Sequence, residues 1–263
     1  MDNEFVLKEI ADFFSQFEEV ESVVFSGSTT AGSSDEFSDR DIYVYAHKEP
    51  DIVKRLEFAQ KYSDEFEINN QQFGTGDELT LRDSGLGIDI NYRSVQWIEE
   101  QIARVWDNYG ISIGYTTAFV FNVNKSIILY DKNGWFKKLQ EKTQAPYPEK
   151  LAENIIKNNL PLLKDKNNAS FYEQTELALK RNDMVSVNHR TAAFLASYFD
   201  VLFAVNRLLH PGEKRLIQFA LQHCKLLPNN FESDVNLLAT CLPDYKLKIM
   251  SRMNDEVKKI IAK

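Results

Sequence analysis

Val23–Ala46 reads VVFSGSTTAGSSDEFSDRDIYVYA: an apolar run stopped by Gly27-Ser28, a small polar turn, and a second apolar run opened by Asp39-Arg40-Asp41. β-Branched and aromatic residues dominate Val20–Phe25 and Asp41–Ala46, which predicts two strands. Gly27 and Ser28 carry no bulky side chain, so their backbone N–H groups can approach a phosphate closely. Asp39 and Asp41 stand two residues apart. In extended chain, side chains alternate between faces, so both carboxylates point to one side of a sheet and Arg40 to the other. A pair of carboxylates beside a phosphate-sized turn suits a magnesium–nucleotide site.

Downstream, a third carboxylate has the same setting. Asp89 sits in Gly87-Ile88-Asp89-Ile90-Asn91-Tyr92, between isoleucines whose side chains alternate to the opposite face. If its strand lies beside Asp41–Ala46, three carboxylates converge and repel one another unless a cation balances them. Hard oxygen ligands favour magnesium or manganese over zinc.

Around this centre the periodicity predicts a helix over Phe5–Phe17 and another after Asp51, a residue suited to capping its first turn. Phe66–Asn69 reads as a short strand. Glu78–Arg82 and Gly87–Arg93 read as two strands joined by a hairpin at Asp83-Ser84-Gly85. Val95–Trp106 returns to helical spacing. Thr116–Leu129 is mixed, and Tyr130–Gly134 is a turn. Beyond it the pattern is helical almost throughout, punctuated by Pro146, Pro148, Pro161, Pro211, Pro228 and Pro243. The expectation is an α+β (mixed α/β) domain over residues 1–135 with a small mixed β-sheet, and an all-α helical bundle over residues 136–263.

Composition sets bounds on function. The chain has 263 residues, 43% hydrophobic and 27% charged, enough to bury a sizeable core. Its 31 basic and 39 acidic residues give a net charge of −8, which argues against a nonspecific nucleic-acid coat. Cys224 and Cys241 are far apart and suggest reduced thiols. MDNEFVLKEI lacks the basic and apolar regions of a signal peptide, and no apolar run reaches membrane-spanning length. These features predict a cytoplasmic protein without a membrane partner.

Gly27-Ser28, a ten-residue spacer, Asp39-Arg40-Asp41 and the distal Asp89 resemble the signature of the DNA polymerase beta-like nucleotidyltransferase superfamily. The resemblance covers roughly residues 20–95. More loosely, Tyr130–Gly134, Tyr147-Pro148, Asn206-Arg207 and Pro211–Arg215 resemble the helical domains of antibiotic nucleotidyltransferase relatives. The resemblance implies transfer of a nucleoside monophosphate from a nucleoside triphosphate, ATP first, to a hydroxyl, with release of pyrophosphate. Carried over residue by residue, Asp39 and Asp41 hold magnesium ions, two of them, that bridge the triphosphate. Gly27 and Ser28 hold its outer phosphates. Asp89 is either a third ligand or the base that deprotonates the acceptor; some relatives take that base from the helical domain, where Glu173 and Glu176 are candidates. A small hydroxylated acceptor, an aminoglycoside or lincosamide, is the leading expectation. A protein or tRNA acceptor and a non-catalytic nucleotide-binding role are the alternatives, and the acidic balance disfavours nucleic acid.

Lys214 and Arg215, just after Pro211-Gly212 at an expected helix start, are candidates for reaching triphosphate oxygens. Tyr92 and Arg93 are candidates for lining the acceptor pocket. His189, on a partly apolar helix, reads as structural, and His210 and His223 show no metal-ligand spacing. Phe194, Tyr198, Phe199 and Phe203 recur at helical spacing and read as core.

Overall fold

The computed structural model describes residues 3–26, 39–72, 74–166 and 169–262. The chain forms two compact units: Met1–Ala103 with Val120–Ala145, and Arg104–Phe119 with Pro146–Lys263. The break expected between residues 135 and 136 falls at the start of a helix of the first unit.

The first unit is built on a six-stranded sheet. Its strands are β1 (Val20–Ser26), β2 (Arg40–Ala46), β3 (Ser63–Asn70), β4 (Gly76–Leu81), β5 (Gly87–Ser94) and β6 (Ile127–Asp131), in the order β3-β4-β5-β2-β1-β6. β2 and β5 run parallel, and the other neighbours are antiparallel. Alternation sorts the side chains as expected. Ile42 and Val44 of β2, Ile88, Ile90 and Tyr92 of β5, and Leu79 and Leu81 of β4 enter one buried core. Helices α1 (Asn3–Phe14) and α2 (Ile52–Tyr62) join that core through Val6, Ile10, Phe14 and Phe58, and the rings of Phe13 and Phe58 stack at 4.4 Å. Asp51 caps α2 as its position predicts, accepting from the backbone N–H groups of Val53 and Lys54 at 3.0 and 3.1 Å. The hairpin between β4 and β5 turns at Gly85, whose φ of +68° lies in the left-handed region open to glycine.

Tyr92 lies on this core face. It is 4% exposed, and its hydroxyl donates to Asp77 Oδ2 at 2.6 Å, so it is not on the carboxylate face where an acceptor pocket was expected. Strand alternation explains the correction: Tyr92 is three residues beyond Asp89, an odd step. The Asp77 carboxylate also faces Arg55 at 3.6 Å, a buried pair with both side chains at most 3% exposed.

The opposite face of the sheet is covered at one end. Helices α3 (Val95–Ile102), α4 (Ala118–Lys125) and α5 (Trp135–Thr143) complete this unit, and Tyr45 packs between the rings of Phe136 and Trp135 at 5.4 and 5.7 Å. The turn before α5 uses Asn133 and Gly134, both with positive φ, and Asp131 accepts from the N–H groups of Phe136 and Lys137.

The second unit holds α6 (Glu149–Leu163), α7 (Phe171–Lys180), α8 (Met184–Val205), α9 (Leu216–His223), α10 (Phe231–Thr240) and α11 (Pro243–Ile261). α8 is its axis: Ser197–Ala204 is an unbroken run of buried residues, so several neighbouring helices surround it. Phe194, Tyr198, Phe199 and Phe203 lie in this core with Phe231, Met250 and Val257. Pro161 sits inside α6, two residues before its C-terminus. Both cysteines are free, and among the described residues no helix is long and apolar enough to cross a membrane.

Candidate active site

The sheet converts sequence spacing into a row. Asp41 of β2 is in register with Asp89 of the parallel β5, and Asp89 in turn is in register with Glu78 of β4. Glu78 is opposite Glu67 of β3. Neighbouring strands lie about 4.8 Å apart, so four carboxylates cross one sheet face at that interval. Ser26 of β1 is the next member of the row, opposite Asp41.

Asp39 precedes β2 and is exposed. Its carboxylate rests against Gly87, where a Cβ would stand 2.1 Å from Asp39 Oδ1. Glycine at 87 thus gives the Asp39 carboxylate room to lie close against the strand, a matter of space and not of backbone freedom. Asp39 and Asp89 line an open cleft of about 340 Å³ together with Glu65, Glu67, Glu78, Thr80 and Gly87. Among the described residues, no group of three or more His, Cys, Asp or Glu side chains is gathered closely enough to hold a metal ion. The donor chemistry is nonetheless that of a hard cation: two half-buried carboxylates in register, and a third within two residues of one of them.

The ground beneath the carboxylates is polar and partly cationic. Tyr43, on the same face two residues after Asp41, has its hydroxyl held above the ordinary tyrosine range, chiefly by burial and then by the negative charge of Asp41. Arg93 and a hydrogen bond with Asn122 of α4 oppose that rise, and Asp89 adds to it. Arg93 Nη2 donates to Asn91 Oδ1 at 3.2 Å, and its Nη1 donates to the carbonyl oxygens of Tyr92 and Thr75. Arg93 is thus a fixed positive charge on the carboxylate face. Charge on the unit as a whole is strongly negative, with 25 acidic against 13 basic residues, while the helical unit has 14 against 18.

Of the remaining candidates, Gly27 and Ser28 lie outside the described residues. Lys214 and Arg215 are exposed residues of the helical unit, in the turn before α9 and not in its first turn. Glu176 pairs with Lys180 at 3.1 Å, whereas one buried Glu173 oxygen has no hydrogen-bond partner. His189 is exposed. Glu65, Glu67, Glu78 and Thr80 were not anticipated as neighbours of Asp89. Alternation in Glu78-Leu79-Thr80 marks an open face, but only the pairing of β4 with β5 puts Glu78 beside Asp89.

Residues 8–74 match the family described as polymerase beta, nucleotidyltransferase, a span that contains Asp39 and Asp41 but not Asp89. Residues 115–216 match a domain of unknown function, DUF4037. No curated protein matches the chain. Among solved structures, a nucleotidyltransferase-like protein from Exiguobacterium sibiricum 255-15 aligns at 8% identity over 99% of this chain and 75% of its own, with a TM-score of 0.47. A CCA-adding enzyme from Thermotoga maritima complexed with tRNA aligns at 11% identity over 100% and 82%, TM-score 0.35. The STING-associated CdnE c-di-GMP synthase from Capnocytophaga granulosa aligns at 15% identity over 98% and 79%, TM-score 0.28. The chain thus carries a polymerase beta-type nucleotidyltransferase segment at residues 8–74, followed by a DUF4037 segment at residues 115–216.

Proposed function

We propose that the protein transfers a nucleoside monophosphate, AMP from ATP, to a hydroxyl of a small acceptor such as an aminoglycoside or lincosamide. The observation that carries this reading is the in-register pair Asp41 and Asp89, the first of them inside the matching nucleotidyltransferase segment. A triphosphate brought to a carboxylate row on so acidic a unit meets mainly like charge, so binding requires cations. Asp39, Asp41 and Asp89 would hold magnesium, which when bound neutralises the triphosphate and polarises the transferred phosphoryl group. Arg93 supplies a positive charge on the same face, held by Asn91 and the carbonyl oxygens of Tyr92 and Thr75. The new bond joins the acceptor oxygen to the α-phosphorus, the bond to pyrophosphate breaks, and the acceptor proton leaves to a carboxylate or water.

The decisive measurement is pyrophosphate release by purified protein with Mg²⁺, each nucleoside triphosphate, and a panel of aminoglycosides and lincosamides. Release should depend on one nucleotide and one acceptor class, stop in EDTA, and transfer an α-phosphate label to the acceptor. Label on RNA or protein from a lysate would move the acceptor to a macromolecule. No release with any nucleotide or acceptor would sink the reading.

A further inference from the structure

Backbone strain in this molecule is not spread evenly. Among the described residues, eight non-glycine positions have positive φ, and four of them are asparagine, which tolerates that region. The other four are Tyr109, Tyr115, Arg207 and Arg215, with φ of 54–56°. All four fall in two stretches of the helical unit, 104–119 and 206–216. The first stretch overlaps a π-helical turn at Ala103–Asp107, itself an uncommon conformation. It also contains Gly114, at φ +76°, where a Cβ would stand 2.8 Å from Ala196 Cβ.

Polar side chains of α6 and α8 hold the first stretch in place. Asp200 accepts from Thr116 N at 3.0 Å and from Thr116 Oγ1 at 2.6 Å. Asn159 donates to Ser112 O at 2.9 Å and accepts from Gly114 N at 3.2 Å. Asn154 donates to the carbonyl oxygen of Tyr109 at 3.0 Å. The two stretches meet at His210, whose N–H donates to Thr117 Oγ1 at 2.7 Å and whose ring lies 4.8 Å from that of Tyr115. His210 Nδ1 accepts from Gly212 N, which puts the imidazole proton on Nε2, a buried atom with no hydrogen-bond partner. What this fixture presents outward is apolar and aromatic: Ile113, Tyr115 and Phe119 are 64%, 40% and 45% exposed. From His210 the chain continues to Glu213 and then to the exposed Lys214 and Arg215; burial and then the negative charge of Glu213 raise the Tyr115 hydroxyl above the ordinary tyrosine range.

Strain of this kind persists only where surrounding structure enforces it, and it gathers at sites of function. An exposed ring backed by a second one, as Tyr115 is by His210, is a stacking surface for a flat heterocycle, and lysine and arginine in the following turn suit a phosphate. We propose that stretches 104–119 and 206–216 form a nucleotide-class ligand site on the helical unit, with Tyr115 stacking on the base and Lys214 and Arg215 taking a phosphate oxygen. All of its residues belong to the helical unit, and binding there does not require the carboxylates.

The test titrates ATP, and tripolyphosphate as a base-free probe, into the full chain carrying Asp41→Asn and Asp89→Asn, in EDTA. ATP binds. Tyr115→Leu weakens ATP tenfold or more and leaves tripolyphosphate unchanged, while Tyr115→Phe restores the loss. Lys214→Ala with Arg215→Ala weakens both probes. Tyr115→Gly relieves the positive φ, so its melting temperature stays level or rises while ATP affinity falls. Unchanged ATP affinity in Tyr115→Leu and Tyr115→Gly, or no ATP binding by the double-Asn chain, overturns the proposal. Failure of the nucleotidyl-transfer reading appears separately, as absent pyrophosphate release by the unaltered chain.

Discussion

The sheet unit and the helical unit place their unusual chemistry by different means. In the first, regular strands bring Asp41, Asp89 and Glu78 side by side, and the residues concerned have ordinary extended backbone. In the second, regular helices provide only the support, and the unusual features sit in connecting stretches bent into positive φ at Tyr109, Tyr115, Arg207 and Arg215. Each such residue costs about 1–2 kcal/mol, and within 104–119 the hydrogen bonds of Asp200, Asn159 and Asn154 offset it. The units also differ in sign, with 25 acidic to 13 basic residues in one and 14 to 18 in the other. A sheet delivers precise spacing at no local strain. A bundle must deform its connections to present a side chain outward.

The contrast breaks most visibly if the carboxylate row is structural. Asp41→Asn or Asp89→Asn should lower nucleotidyl transfer by roughly 10³-fold while melting temperature barely moves. Phe203→Ala, at a site 1% exposed in the helical core, should do the reverse: about 3–5 kcal/mol lost in urea denaturation, with turnover per folded molecule kept. Equal effects of both substitutions on stability and on turnover would erase the distinction.

A second comparison concerns two buried groups of the helical unit with opposite pH behaviour. Burial raises Asp200 from 3.8 to about 6, against the lowering effect of the Thr116 hydrogen bonds, and burial lowers His210 from 6.5 to about 3. The Asp200 contribution to stability is complete below 3.8 and disappears as pH rises through 6, because the folded state keeps a proton that the unfolded chain has released. His210 contributes above 6.5 and loses that contribution as pH falls through 3. Each effect is worth up to about 3–5 kcal/mol, and the two oppose one another between pH 4 and 6. Asp200→Asn should therefore make stability fall more steeply on acidification across that window, and His210→Gln should make it fall less steeply or rise. Urea midpoints at half-unit pH steps distinguish them, and parallel curves for both variants and the parent would remove the assignment.

The smallest effect expected is at Gly87. Alanine there meets the Asp39 carboxylate, which is the mobile end of a side chain, so it swings aside at little cost to folding. Turnover should drop by roughly 10- to 100-fold, because a displacement of about 1 Å is enough for that, while stability changes by less than about 1 kcal/mol. An active Gly87→Ala enzyme would show that the Asp39 position is not critical.

Much of the first unit can be read without coordinates. Period-2 alternation around Asp41 and Asp89, the Asp51 cap, the Asp83–Gly85 hairpin and the turn at Asn133-Gly134 are all local patterns, set by sterics and hydrogen bonds within a few residues. Local rules also succeed for the helices of the second unit, where apolar spacing identifies the core of α8. They fail where partners are distant in sequence. Nothing near Glu78 announces Asp89 as its neighbour, and nothing near Thr116 announces Asp200, 84 residues away. Tyr92 shows the same limit, since its place was legible from alternation but its partner Asp77 was not. Residues 104–119 leave the sheet unit for the helical one and then return through α4, a path that no composition change marks.

The amino-acid order alone therefore settles which residues share a strand face, where helices begin, and that Asp39 and Asp41 fall in one segment matching the polymerase beta nucleotidyltransferase family. Its reach is a few residues because backbone sterics act over that range. Strand order, register between strands, the close approach of Gly87 to Asp39 and the strained pairing of Tyr115 with His210 come from packing. Those arrangements are selected by burying one shared core, and its free energy belongs to the whole fold and not to any segment of it.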